Sequence, residues 1–170
     1  MPSFWFAVHC KPRHEKVVSE VLRGKGYEEF LPLYRGRHRS GGRFKDVFLP
    51  LFPTYLFCRL DPTHRLPVLS TPGVHSIVGA GKRPLPVDDA ELEAIRRLTS
   101  SGLSLLPWPF IHAGDHVRLE EGPLRGLEGI LHATSTGPRV IVSVTLLQRS
   151  VAVPVDRRWI RPLGRPSACA

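Results

Sequence analysis

The chain has 170 residues, with 24 lysines and arginines against 15 aspartates and glutamates and a formal net charge of +9. Such a positive balance indicates an anionic partner, with nucleic acid first and an acidic protein surface second. The apolar fraction of 42% is sufficient for a buried core. No apolar run reaches the roughly 18 residues of a membrane span, and the N-terminal segment lacks the pattern of a signal peptide. We therefore expect a cytoplasmic protein that binds no membrane.

Metal and cofactor sites are not predicted, and neither is catalysis. The three cysteines form no CxxC pair; they are Cys10, Cys58 and Cys169. His9 and His14 lie near Cys10 in the sequence and could be read with it as metal ligands. His9 and Cys10 are adjacent on a strand and so point to opposite faces, which favours a structural role over a metal site. The chain lacks a phosphate-binding GxxxxGK[ST] loop and an ordered catalytic constellation. The acidic cluster at residues 88–93 is explained by helix capping.

The N-terminal segment is predicted to form a strand, a helix and a second strand. Residues 4–8, FWFAV, form the first strand. From residue 13 to residue 23 the apolar side chains recur at helical spacing, and the helix should end at Gly24 and Gly26. The apolar positions of this helix are Val17, Val18, Val21 and Leu22. Residues 27–34, YEEFLPLY, alternate sufficiently for the second strand.

Two features follow in the middle of the chain. Residues 35–45, RGRHRSGGRFK, are basic around Gly41-Gly42 and predict a long hairpin or a flexible loop. Residues 50–60, PLFPTYLFCRL, are predicted to form a strand with two apolar faces. One face would carry Leu51, Pro53, Tyr55 and Phe57, and the other Phe52, Leu56 and Cys58. Either the fold itself or a partner covers the second face.

The remaining pattern separates a helix from a strand-rich C-terminal part. Residues 70–79 predict a turn and a short strand, and residues 88–98 predict a helix whose acidic start and basic end match its dipole. Residues 99–112, TSSGLSLLPWPFIH, are typical of a linker. From residue 114 to 163, β-branched runs between glycine turns predict a small β-barrel of about five strands. The predicted class is α+β, with an N-terminal antiparallel sheet covered by helices and then the barrel.

The most specific pattern is GDHVRLEEGPLRGLEGIL, residues 114–131. It combines glycine turns with short apolar runs at tight corners, where a Cβ would interfere. The ordered string resembles a KOW motif, the short β module of transcription elongation factors and some ribosomal proteins. The residues that carry the resemblance are Gly114, Asp115, Gly122, Pro123, Leu124, Gly126, Leu127 and Gly129.

The N-terminal half resembles the NusG family. WFAVHCKPRHEKVV, FLPLY, PLFPTYLFCRL, TPGVHSIVG and the Pro-Val-Asp-Asp helix occur in the order of the N-terminal (NGN) domain of that family. PLFPTYLF is more similar to the specialised paralogues, such as RfaH and the UpxY group, than to housekeeping NusG. The resemblance implies an NGN-like RNA polymerase-binding domain over 1–99, a linker over 100–112, a KOW barrel over 113–163 and a tail over 164–170.

The resemblance also implies a polymerase-binding site. In the family, one face of the PLFPTYLF strand lies in a hydrophobic cavity that receives the clamp helices of the RNA polymerase β′ subunit. The positions carried over are Phe52, Tyr55 and Phe57, with Leu92 and Ile95 at the rim. Strand alternation places Phe52 opposite the other two aromatic residues unless Pro53 introduces a bulge or a turn. The alternative is that all these residues belong to the core.

Basic and apolar residues outside this strand give further candidate sites. Phosphate contacts with nucleic acid are predicted for Lys11, Arg13, Lys16, Arg35, Arg37 and Arg39, the alternative being a solvated surface. The first helix is apolar where RfaH-like proteins carry polar residues that recognise DNA, so sequence-specific recognition is not implied. Leu124 and Leu127 correspond to positions that contact Rho or the ribosomal protein NusE, or else lie in the barrel core.

Taken together, the resemblance implies a monomeric, non-enzymatic transcription elongation or antitermination factor. It would bind the RNA polymerase clamp and promote processive elongation, with non-template DNA as a further candidate partner. The KOW domain would recruit a second partner, NusE or Rho. The alternative is a KOW-containing RNA-binding or ribosome-associated protein, in which residues 50–60 are core and binding depends on salt and RNA. A nucleic-acid enzyme is a weaker alternative because no acid/base pair is evident.

Overall fold

The computed structural model describes residues 3–110 and 114–164. Residues 111–113, at the junction of the predicted linker and barrel, and the predicted tail from residue 165 lie outside the described residues. The chain divides into two compact units, Met1–Asp89 and Ala90–Ala170. None of the described helices has the length and apolar character that crossing a bilayer requires.

Within residues 3–89, the first unit has eight strands and two α-helices. The strands are β1 (Phe4–Cys10), β2 (Glu28–Phe30), β3 (Leu33–Ser40), β4 (Arg43–Pro50), β5 (Tyr55–Leu60), β6 (Val74–Ile77), β7 (Gly79–Ala80) and β8 (Arg83–Pro84). The helices are α1 (Glu15–Gly24) and α2 (Leu66–Leu69), and a 3₁₀ turn spans Pro62–His64. Four strands form an antiparallel sheet in the order β2-β5-β1-β6, whereas β3–β4 and β7–β8 are separate two-stranded ladders.

The first strand and the first helix are confirmed, and together they build the core of this unit. β1 pairs with β5 in a register that places Phe6 opposite Cys58. Both side chains lie in one buried cluster with Val18 and Leu22 of α1. The helical spacing of valine and leucine therefore gives α1 one apolar stripe, which covers this face of the sheet.

The single strand predicted over residues 50–60 is wrong. β4 ends at Pro50 and β5 begins at Tyr55, and between them the Tyr55 N–H donates to the Phe52 carbonyl at 3.0 Å. The fixed φ of Pro53 and the positive φ of Thr54, 70°, suit the two central positions of a type II turn. This is the exception stated for Pro53, a turn that interrupts the strand, so the face alternation predicted for the whole segment does not apply to Phe52. The strand predicted over 27–34 is likewise divided, into β2 and the start of β3.

Of the two alternatives predicted around the two glycines, a long hairpin or a flexible loop, the structure shows the hairpin. β3 and β4 pair in one unbroken register, from Leu33 opposite Pro50 to Ser40 opposite Arg43. Gly41 and Gly42 have φ values of 58° and 79° and form the two-residue connection. Two successive positive φ angles are what a type I′ turn requires, and that turn matches the right-handed twist of the paired strands.

In its described residues, the second unit consists of one α-helix and an antiparallel sheet. The helix is α3 (Asp89–Ser100), which begins at the last residue of the first unit. The strands are β9 (Leu106–Trp108), β10 (Asp115–Leu119), β11 (Glu128–Thr134), β12 (Gly137–Val144), β13 (Arg149–Pro154) and β14 (Ile160–Gly164), with 3₁₀ turns at Thr145–Leu147 and Arg157–Trp159. In the described residues the sheet has six strands in the order β14-β10-β11-β12-β13-β9.

The α+β class is confirmed, and the valine-rich runs explain the second sheet. Val140 of β12 lies opposite Val153 of β13, and both are fully buried, because β-branched side chains pack well on a pleated surface. The sheet has one strand more than the predicted five or so, since β9 lies within the predicted linker. In β9, Pro107 lies opposite Val151 of β13. The domain boundary at residue 99 stays a prediction.

Candidate functional site

The turn after β4 brings Phe52 and Phe57 together. Their ring centroids lie 5.9 Å apart in an edge-to-face arrangement, and Phe30 stacks on Phe57 at 6.1 Å. Neither Phe52 nor Phe57 has any exposed surface. In this structure the two rings are packed interior residues, and their contact with a partner stays a prediction.

Tyr55 is the accessible residue of the predicted aromatic set. It is half-buried, and its ring stacks on His9 with centroids 5.0 Å apart and an interplanar angle of 25°. His75 approaches His9 edge-on at 5.2 Å. We call these three residues, Tyr55, His9 and His75, the Tyr55 patch. Desolvation is the main cause that lowers the pKa of His9, and the neighbouring His75 is the second. The lowered pKa favours a neutral ring in the stack.

The two histidines of the Tyr55 patch were not predicted as site residues. The signal that reveals them is strand register, because His9 of β1 lies directly opposite Tyr55 of β5. His75 belongs to β6, the strand on the other side of β1. Register is a long-range property, and the sequence alone did not supply it.

The residue before Tyr55 is held by two hydrogen bonds. The Thr54 backbone N–H donates to Glu15 Oε1 at 2.8 Å, and the Thr54 carbonyl accepts from the Cys10 N–H at 2.7 Å. Glu15 is 5% exposed, so its carboxylate is a buried charged group with a specific acceptor role. These contacts stabilise a positive φ that a β-branched residue rarely adopts, and they fix the direction in which β5 leaves the turn.

The predicted rim residues Leu92 and Ile95 lie on α3. Both are buried, with exposed fractions of 2% and 0%. From Ala90 onward the helix belongs to the second unit, whereas the Tyr55 patch belongs to the first. Their role at the rim of a cavity stays a prediction.

The predicted phosphate-binding residues are all exposed, in two groups. Lys11, Arg13 and Lys16 lie at the turn after β1 and at the start of α1. Arg35, Arg37 and Arg39 occupy alternate positions of β3 and therefore share one face of the hairpin. Asp46 of β4 forms ion pairs with the first two of these arginines and neutralises part of their charge.

Two glycines of the KOW-like string, Gly122 and Gly129, occupy positions where an added Cβ would lie within about 3 Å of neighbouring atoms. A Cβ on Gly129 would lie 2.6 Å from the Ile141 carbonyl oxygen, so the close pairing of β11 with β12 requires glycine. Gly122 has a φ of 80° and lies against the Trp159 ring. Asp115 begins β10, after Gly114, and Gly126 and Pro123 lie in the loop between β10 and β11.

Leu124 and Leu127 lie in the same loop between β10 and β11. Both are buried, with exposed fractions of 0% and 3%. The Leu127 N–H donates to the Leu124 carbonyl at 2.9 Å, and the Leu127 carbonyl accepts from the Leu119 N–H at the same distance. The loop is therefore tied to β10, and a contact of these leucines with a second protein stays a prediction.

Comparison with known proteins identifies the family. The family model described as transcription termination factor NusG matches residues 3–96, which is more than half of the chain. The chain belongs to the NusG family. The matched range includes the Tyr55 patch, the hairpin and most of α3.

Relatives of the NusG family extend the likeness over most of the chain. The transcription termination/antitermination protein NusG of Thermus thermophilus is 30% identical over 175 residues, covering 89% of this chain and 94% of the relative. The protein of the same name from Deinococcus radiodurans is 28% identical over 184 residues, covering 89% and 95%. A solved structure of Thermotoga maritima NusG has a TM-score of 0.60 at 20% identity, covering 96% of this chain and 98% of that chain, and it supports the fold.

These findings confirm the resemblance to the NusG family and the predicted class of transcription elongation or antitermination factor. The strand-rich sheet of the second unit fits a KOW barrel. The finer likeness to specialised paralogues stays a prediction.

Proposed function

We propose that this NusG-family protein is a transcription elongation and antitermination factor that binds the β′ clamp helices of RNA polymerase through the Tyr55 patch. The observation that carries the proposal is the accessibility of Tyr55 beside the fully buried Phe52 and Phe57. Tyr55 lies in the segment that the family uses for this contact. Binding there would favour the closed, processive state of the polymerase.

The Tyr55 patch has the physical properties of an interface anchor. Aromatic side chains bury a large area and lose little conformational entropy, and tyrosine adds a hydroxyl that can reach a polar partner. The stack on His9 holds the Tyr55 ring in place before a partner arrives. Such pre-organisation lowers the entropic cost of binding.

The other candidate surfaces complete the proposal. The exposed arginines of β3 would contact the non-template DNA strand, and the second unit, as the KOW domain, would recruit NusE or Rho. The protein would act as a cytoplasmic monomer without enzymatic activity. Its functional division would place the polymerase-binding domain at residues 1–99 and the KOW domain at residues 113–163.

The test is a pulldown of the full chain with the isolated β′ clamp helices. Tyr55→Ala should weaken binding by about 2 kcal/mol, the cost of truncating a central aromatic anchor. Leu66→Ala removes an apolar side chain that is 74% exposed elsewhere in the first unit, and it should bind as the parent chain does. Thermal melts should show both variants folded.

Two outcomes would contradict the proposal. A chain that fails to bind the clamp helices, or a Tyr55→Ala variant that binds them normally, would remove the Tyr55 patch as the contact. Salt-sensitive RNA binding by that same chain would then favour the alternative of a KOW-containing RNA-binding protein.

A further inference from the structure

One face of the β3–β4 hairpin carries aromatic rings between guanidinium groups. The register places Arg35 opposite Phe48 and Arg39 opposite Phe44. Because directly opposed residues of a ladder share a face, these four side chains lie on the same side of the hairpin. Arg37 and Asp46 form the pair between them. We call these six residues the hairpin face.

The two rings of the hairpin face are strongly exposed. Phe44 is 69% exposed and Phe48 is 59% exposed. The ladder of β3 and β4 has no third strand among the described residues. Two exposed phenylalanines on a regular ladder do not belong to the core of the first unit. Their exposure indicates a partner with flat apolar surfaces.

The charge around the rings restricts the chemistry of that partner. The hairpin, residues 33–50, has five lysines and arginines and one carboxylate, that of Asp46. Asp46 pairs with Arg35 and, at 3.9 Å, with Arg37. Within residues 3–110 and 114–164, no carboxylate forms an ion pair with Arg39. A partner that presents negative charge and flat rings together satisfies both features.

We propose that the hairpin face binds single-stranded DNA, with bases stacked on Phe44 and Phe48 and phosphates held by Arg35 and Arg39. Unpaired bases offer π-faces that a duplex conceals, and basic grooves with aromatic platforms are the usual solution for single strands. The rings are four residues apart on β4, roughly 13 Å along a strand, so they receive two separate bases.

The composition of the hairpin face favours DNA over RNA. The face has no neutral hydroxyl or amide side chain that would bind a ribose 2′-hydroxyl, and its one carboxylate is bound by two arginines. Stacking and phosphate contact need no ribose. The inference deepens the proposed contact with the non-template strand and rests on the proposed function only for the biological source of the DNA.

The first experiment measures the affinity of the full chain for free oligothymidylate of about 12 nucleotides, within the usual site size of single-strand modules, by fluorescence anisotropy at low salt. The variant Phe44→Ala/Phe48→Ala should bind about tenfold or more weakly, given the usual contribution of each stacked base. Phe44→Leu/Phe48→Leu keeps the apolar bulk but has no π-face, and it should bind nearly as weakly as the alanine variant. Phe4→Ala, which truncates a phenylalanine that is 47% exposed outside the hairpin, is the matched control and should bind normally.

A second measurement detects stacking directly. The variant Phe44→Trp adds an indole at the hairpin face, and oligothymidylate should quench its fluorescence beyond any change in the parent chain. The parent signal matters because the chain already has three tryptophans. Quenching that saturates at the anisotropy midpoint would place a base on this ring.

The oligonucleotide experiments contain no polymerase. The outcomes that overturn the inference are therefore distinct from a failure to bind the clamp helices. Unchanged affinity after removal of both rings, or equal affinity for duplex and single strand, would leave only phosphate contact. Tighter binding of oligouridylate than of oligothymidylate would assign the hairpin face to RNA. No measurable binding of either oligonucleotide would reject the site, whether or not the clamp helices bind.

Discussion

Glu15 and the backbone N–H of Thr54 are joined by a hydrogen bond of 2.8 Å that ties α1 to the turn before β5. The carboxylate is almost fully buried, and Thr54 has a φ of 70°. A β-branched residue in the left-handed region is strained by about 1–2 kcal/mol, so neighbouring contacts must hold it there. Tyr55 is the next residue, and its position depends on this contact.

Removing the Glu15 carboxylate should destabilise the first unit. Glu15→Ala leaves the part-buried Thr54 N–H without its acceptor and should lower the free energy of unfolding by about 1–3 kcal/mol. Glu15→Gln keeps an acceptor oxygen and should lose less. Urea denaturation of both variants measures the difference. Equal losses for alanine and glutamine would show that charge, rather than the hydrogen bond, supports the turn.

The stability of the first unit should decrease below the ordinary pKa of histidine because of His9. Burial and His75 lower the pKa of His9 in the native state, so the unfolded chain binds a proton that native His9 resists. The contribution is fully present above about pH 6.5 and is lost as the pH falls from there toward the lowered native pKa.

The comparison that tests this is the pH dependence of unfolding for the parent chain and for His9→Phe. Phenylalanine keeps a ring opposite Tyr55 but cannot be protonated, so the stability of the variant should fall less steeply between about pH 7 and 5. Parallel curves for the two proteins would eliminate His9 as the responsible group.

The two described cysteines should resist modification in the native protein. Burial is the main cause that raises the pKa of Cys10 and of Cys58 to about 12, with Glu15 and Glu29 as the second causes. From an ordinary value of 9.0 this lowers the thiolate fraction at neutral pH about a thousandfold. In a Cys169→Ser background, iodoacetamide should label the chain only after unfolding. Rapid labelling under native conditions would mean that β1 or β5 opens locally.

Gly129 should tolerate no side chain. In Gly129→Ala the new Cβ would lie 2.6 Å from the Ile141 carbonyl oxygen, and overpacking of this kind costs about 1–3 kcal/mol. Gly24→Ala is the matched control because its Cβ would meet nothing within 4 Å, and it should be neutral or slightly stabilising at the end of α1. Denaturant unfolding monitored in both units measures the effect, and normal stability of Gly129→Ala would show that β11 and β12 can separate locally.

Local patterns in the sequence were sufficient for several elements. Valine and leucine at helical spacing predicted α1, and the two central glycines predicted a hairpin or a flexible loop where β3 and β4 lie. The β-branched runs predicted β12 and β13. Each of these depends on interactions between residues close in the chain, such as helical periodicity, turn dihedral angles and side-chain branching at Cβ. The ordered motifs also sufficed for the family.

Residues 50–60 do not form the single strand that their composition predicts. Their composition and the turn at Pro53 and Thr54 favour different conformations. Aromatic and leucine content favours a strand, but Pro53 and Thr54 turn the chain, and a threonine at positive φ gives no sequence signal comparable to glycine. The turn depends on Glu15, which is 39 residues away. A distant acceptor therefore supports a turn that Pro53 favours locally.

The sequence by itself determined several of the elements, the basic charge and the family, because these are encoded by neighbouring residues and by ordered motifs. Only the tertiary structure decided which aromatic residues are available to a partner. Phe52 and Phe57 are buried while Tyr55 stays accessible, and strand register sets His9 beside Tyr55 and Arg39 beside Phe44. Exposure and register depend on packing and pairing between segments far apart in the chain, and these interactions have no counterpart in local sequence pattern.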